Sequence, residues 1–147
     1  MTAPVPPPGP PEAPLQVPPP RWWLALYWLL PALAYAALIF WLSSQPRPLP
    51  HLTSRVGDKL LHLVEYAAFA VVVTWGLSHL VTLPRAARWA ALLGSLYGLT
   101  DELHQRFVPH RSAEVGDWVA DTLGAALGAL LAWLALRRWR ARASIRR

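Results

Sequence analysis

The sequence contains no cysteine. That removes disulfides, thiolate nucleophiles and cysteine-ligated zinc from consideration, and it leaves the redox compartment undecided. Charge is also scarce, with Asp, Glu, Lys and Arg making up 15% of 147 residues, whereas Ala, Val, Ile, Leu, Met, Phe, Trp, Tyr and Cys account for 54%. A soluble domain carries more charge than this and less apolar mass. No H-E-x-x-H or comparable helical spacing occurs, and no nucleophile can be identified, so neither a zinc protease nor a nucleophilic hydrolase is written into the chain.

What is present is apolar, and it comes in blocks. Three long apolar stretches and one shorter one alternate with short polar segments. Each block has the length needed to cross a hydrocarbon layer about 30 Å thick. There are 9 Trp and 4 Tyr, and Trp22, Trp23, Tyr27, Trp28, Trp41, Trp118 and Trp139 fall at or near block ends, where amphipathic rings favour the headgroup zone. The expected fold is therefore all-α, an integral membrane bundle of four transmembrane helices.

Residues 1–20 contain ten prolines and almost no charge, which predicts a disordered or polyproline-II tail. A cleaved signal peptide is not expected, because a basic n-region is missing and the apolar stretch starts only at Trp22. The pattern predicts helices from about Trp22 to Leu42, kinked at Pro31; from Gly57 or Asp58 to about Val81; from Ala86 to about Phe107; and from Glu114 to Leu136. Residues 21–136 form the membrane domain on this reading, and residues 137–147 an arginine-rich tail. Arg137, Arg138, Arg140, Arg142, Arg146 and Arg147 suit a topology anchor facing anionic lipids rather than a nucleic-acid arm, because they directly follow an apolar helix.

Four spans put both termini on one side. That side collects Arg21, Arg85, Arg88 and the six tail arginines, against Arg47, Arg55, Lys59, Arg106 and Arg111 opposite. The excess of basic residues, nine against five, favours both termini in the cytoplasm. Gly94-x-x-x-Gly98 and Gly124-x-x-x-Gly128 are small-xxx-small seams expected to pack the third and fourth helices together within one chain.

The candidate site is built from ionisable residues inside the apolar blocks. Asp58, His62, Glu65, Tyr66 and Phe69 recur on one stripe of the second helix. Asp101, His104 and Gln105, with Glu102 beside them, lie on the third, and Asp117 and Asp121 are one turn apart on the fourth. Antiparallel packing brings all three stripes to one end of the bundle. A charge at mid-helix costs about 2.5 to 3.5 kcal/mol on insertion scales, so the groups must pair, line water or hold a ligand. Arg106 and Arg111 are the expected cationic partners. His79, at the far end of the second helix, is expected to be structural or interfacial.

Three chemistries remain open for this cluster. His62, Glu65, His104, Asp101 and Asp117 include the ligand types of a divalent metal. A carboxylate and a histidine could act as general acid and base. The arginines could clamp a phosphate or carboxylate. No cofactor is identified, and the expected partners are membrane lipids, with no nucleic acid.

The succession Ser43-Ser44-Gln45-Pro46, Asp58-Lys59-x-x-His62-x-x-Glu65-Tyr66-x-x-Phe69, Asp101-Glu102-x-His104-Gln105-x-Phe107-Val108-Pro109-x-Arg111, then Asp117 and Gly124-x-x-x-Gly128, resembles the VanZ-like family over about residues 38–132. The resemblance implies a bacterial integral membrane protein, in a family whose founding member is linked to resistance to the glycopeptide antibiotic teicoplanin. Two departures alter the charge of the pocket: His110 stands where the family often has a small residue, and Asp121 where an asparagine is expected. The function expected from the resemblance is binding or processing of an anionic amphiphile of the cell envelope in an outward-facing polar pocket, with a lipid-linked cell-wall intermediate or a glycopeptide as the candidate partner. A metal-assisted or acid–base hydrolase on a lipid-linked substrate and an accessory membrane scaffold are the alternatives.

Overall fold

The computed structural model describes residues 21–46 and 57–145. The proline-rich tail, Arg47, Arg55, Arg146 and Arg147 lie outside the described residues. Four helices follow in order: α1 (Arg21–Ser43), α2 (Asp58–Leu77), α3 (Leu83–Gln105) and α4 (Val115–Ile145).

Each helix end has a local cause. Pro31 lies inside α1, where its ring removes one backbone donor without ending the helix. α1 stops where its polar residues take over the last carbonyls: the Ser44 hydroxyl donates to Phe40 O at 2.7 Å and the Gln45 amide to Trp41 O at 3.1 Å. Gly57 precedes α2 with φ 83°, a left-handed conformation open to glycine, and Asp58 then places its carboxylate at the positive end of the helix dipole. α2 ends at Leu77, four residues short of the expected Val81, because the N–H groups of Ser78, His79 and Leu80 turn back onto carbonyls of the last turn. Thr82 and Pro84 start α3 earlier than the expected Ala86, since proline needs no donor in the first turn. α3 stops at Gln105, two residues before the expected Phe107.

α4 departs most from the sequence expectation. It runs 31 residues to Ile145 rather than stopping at Leu136, so the arginine run is helical from Arg137 to Arg142. At 1.5 Å per residue it spans about 46 Å, longer than the hydrocarbon layer. Its arginine stretch is pinned to the α2–α3 corner: Arg140 donates to Ser78 O at 3.1 Å and to the Ser78 hydroxyl at 2.9 Å.

The close approaches give the relative directions. A Cβ at Gly94 would sit 2.5 Å from that of Ala125, and one at Gly98 would sit 2.7 Å from Asp121 Oδ2, so α3 runs antiparallel to α4. Cβ atoms at Gly124 and Gly128 would instead collide with the backbone carbonyls of Leu63 and Ala67, so α4 runs parallel to α2. The two seams therefore serve different interfaces, and the one on α4 faces α2 rather than α3. Tyr35 stacks on Phe69 and Trp28 on His79, which makes α1 antiparallel to α2.

The core is narrow and rich in small residues. Ala70, Ala90 and Ala125 are fully buried around Tyr66, Phe69, Val73 and Ile39, as expected where backbones pack closely without a hydrophobic drive between helices. Large apolar side chains point outward instead, among them Leu30, Leu33 and Leu38 on α1, Leu92, Leu96 and Leu99 on α3 and Leu123, Leu127 and Leu131 on α4. α1, α2 and α4 are long and apolar enough to cross a membrane by length and composition. α3 has the same length as α1, 23 residues, and its lower mean hydropathy comes from Arg85, Arg88, Asp101 and Glu102 near its two ends. The protein is an all-α membrane bundle of four helices.

Candidate functional site

The polar residues gather where α1 and α3 end and α2 and α4 begin. They fall into a cavity and a buried cluster behind it, joined by His62.

The cavity, about 210 Å³, lies between α1, α2 and α3. Its polar lining is Ser43, Asp58, His62, Glu65, Asp101, Gln105 and Arg111, and Tyr35, Leu42, Leu61 and Val64 form its apolar wall. Asp101 and Gln105, one turn apart on α3 and both buried, are joined through Gln105 Nε2 donating to Asp101 Oδ2 at 3.0 Å. The Gln105 carbonyl oxygen then accepts from Arg111, at 3.2 Å from Nε and 2.8 Å from a terminal guanidinium nitrogen. This chain fixes Arg111, which arrives from the α3–α4 loop. His110, just before it, has φ 63°, so the position at which a small residue is expected is one where the backbone enters the left-handed region.

Behind the cavity, His62 Nδ1 lies 2.9 Å from Asp121 Oδ1, with 7% and 0% of the two side chains exposed. Glu102 turns to the start of α4, where its Oε2 accepts the Glu114 backbone N–H at 2.7 Å. Asp117, also buried, pairs with Lys59 Nζ at 2.9 Å, and the same ammonium reaches Glu114 at 2.9 Å. Trp118 completes this end of α4, its indole donating to Ser95 O at 3.1 Å.

Two of the residues singled out in the sequence lie apart from both groups. His104 faces α1, its Nε2 3.1 Å from the Ser44 hydroxyl and its ring 4.7 Å from that of Phe40. Tyr66 is fully buried under the cavity floor beside Phe69 and Tyr97, and its hydroxyl finds no partner among the described residues. Of the two arginines expected as cationic partners, Arg111 enters the site, whereas Arg106 is exposed and forms no side-chain hydrogen bond among the described residues. Lys59 is the second cation. His79 lies at the opposite end, stacked on Trp28 with ring centroids 3.6 Å apart.

Sequence reasoning did not assign Tyr35, Leu42 and Ser43 of α1 to the site. A faint signal exists: Tyr35, Leu42 and Ser43 stand seven and eight residues apart, two helical turns along one face of an otherwise uncharged helix.

An all-α membrane bundle that buries acids, a histidine and a glutamine at one end, beside a cavity floored by the same residues, is the class of protein defined by this fold and site. Within that class the VanZ/LLP1 family profile matches residues 23–136, and the chain belongs to that family. No curated protein and no solved structure matches the chain.

Proposed function

We propose that the cavity between α1, α2 and α3 receives the polar head of a cell-envelope amphiphile, with its acyl or prenyl chain passing along the apolar wall. The observation carrying this reading is the pairing, in one cavity of about 210 Å³, of an apolar wall with a floor in which Arg111 is held by Gln105. A guanidinium suits a phosphate or carboxylate. The carboxylates of Asp58, Glu65 and Asp101 line the same space, so a head that is anionic throughout would be repelled. The best fit is an anionic group flanked by hydroxyl or amine donors, the makeup of a lipid-linked cell-wall intermediate. Resistance to a teicoplanin-type glycopeptide would then follow from sequestering or altering such an intermediate.

Native mass spectrometry of the detergent-purified protein beside its Glu65→Ala and Arg111→Ala variants tests this. A specific lipid retained by the wild type and lost from both variants supports the reading. Identical spectra with unchanged stability would sink it and leave an accessory membrane scaffold.

The His62–Asp121 pair favours a second reading, an acid–base hydrolase acting on the same kind of head. Asp121 fixes His62 through Nδ1, and His62 also lines the cavity, so Nε2 is available for proton transfer. Turnover of a lipid-linked pyrophosphate substrate by the wild type, abolished in His62→Gln, would support it; absence of turnover with lipid retained returns the chain to binding.

A further inference from the structure

Three helices each send one potential ligand side chain to a single point. His62 comes from α2, Glu102 from α3 and Asp121 from α4, and one donor atom of each lies within 4.8 Å of the other two. All three are buried, at 6%, 5% and 0% exposure. Two carboxylate oxygens in this group, Glu102 Oε1 and Asp121 Oδ2, find no hydrogen-bond partner among the described residues. Buried oxygens of this kind are costly unless something positive meets them. The nearby cations are committed elsewhere: Lys59 to Glu114 and Asp117, Arg111 to Gln105.

We propose that His62, Glu102 and Asp121 form a binding site for a divalent transition-metal cation. His62 Nδ1 and Asp121 Oδ1, 2.9 Å apart, share a hydrogen bond that the ion would replace, and they lie close enough to serve one ion with bonds of about 2.0–2.2 Å. One imidazole nitrogen with carboxylate oxygens and no sulfur selects zinc or manganese over copper(I), and the imidazole disfavours calcium and magnesium. The ion would offset two buried carboxylate oxygens that neither Lys59 nor Arg111 reaches. It would also tie α2, α3 and α4 together at the end where the cavity opens. Glu102 has a double role here, since its other oxygen accepts the Glu114 N–H that starts α4, so a metal on Oε1 would be coupled to the orientation of α4. The site shares His62 with the cavity, but it needs no occupant of the cavity to hold its ion.

The test uses the full-length protein in detergent, stripped with chelator and titrated with zinc and, separately, manganese by calorimetry, with elemental analysis after gel filtration. The expected result is one ion per chain in the wild type and at least tenfold weaker binding in Glu102→Gln and in Asp121→Asn. His110→Ala, which alters an exposed loop imidazole, should bind as the wild type does. Glu102→Gln keeps a carbonyl oxygen for the Glu114 N–H and is the variant expected to fold. As a second readout, the ion should raise the melting temperature of the wild type and leave that of Glu102→Gln unmoved. Absence of stoichiometric binding by the wild type, or wild-type affinity in the folded variants, overturns the proposal.

Discussion

Burial decides what each polar residue is worth. The Asp121 side chain is 0% exposed and meets His62 at 2.9 Å, so His62→Ala strands a carboxylate in the bundle; removing one member of a buried pair costs about 3–5 kcal/mol. Thermal melts in detergent should show that variant losing more stability than Glu114→Ala, because Glu114 and its partner Lys59 are both more than half exposed. His110 offers a backbone counterpart. At φ 63° a β-branched side chain is strained, and His110→Val should cost about 1–2 kcal/mol while His110→Gly is tolerated; the same melts distinguish the two. Much of the site was legible at this scale. Charges are rare enough in the apolar blocks that Asp58, His62, Glu65, Asp101 and Asp117 stand out by type alone. Their partners were not legible: spacing gives the stripe on which His62 or Asp121 lies, but pairing depends on helix rotation and separation, which no local pattern encodes. Arg106 and Arg111 look alike in the sequence, and only the path of the loop turns one inward.

At the scale of the helices, the two glycine seams make different demands. Gly124 and Gly128 face carbonyls of α2, whereas the added Cβ at Gly116 would meet only the flexible end of Lys59, 2.9 Å from its Cε. Backbone cannot yield as a side chain does, so Gly124→Ala and Gly128→Ala should each cost about 1–3 kcal/mol through displaced packing, with Gly116→Ala near neutral. Denaturation in mixed micelles read by tryptophan fluorescence would rank them, and equal effects at all three positions would refute the assignment of the seam to α2. The seams were visible in the sequence, but the partner of the α4 seam was not, because a glycine pair marks a face without saying which neighbour fills it. Helix existence followed from the apolar blocks, and the ends drifted where capping overrode hydropathy. The clearest instance is α4, whose arginines continue the helix because arginine is a good helix former and Arg140 finds Ser78 at the corner.

For the whole molecule, the four helices sort charge by end. Arg85, Arg88, Arg137, Arg138, Arg140 and Arg142 lie at the end where α2 meets α3 and α4 finishes, and among the described residues Lys59, Arg106 and Arg111 lie at the other. Basic residues are retained on the cytoplasmic side, so the arginine end should face inward and the cavity outward. The three cations opposite offer little counterweight, since Lys59 and Arg111 are engaged with the site. Because the chain contains no cysteine, single substitutions report on sidedness without background. Phe107, in the α3–α4 loop, is 85% exposed, and Trp139, on the arginine stretch of α4, is 66% exposed. In intact cells a membrane-impermeant maleimide should label Phe107→Cys and spare Trp139→Cys until the membrane is broken. The reverse pattern would place the cavity in the cytoplasm, where the head of an outer-leaflet lipid cannot reach it. The binding proposal would then have to be tested against an inner-leaflet lipid, while the metal site, whose ligands are buried from either side, would be unaffected.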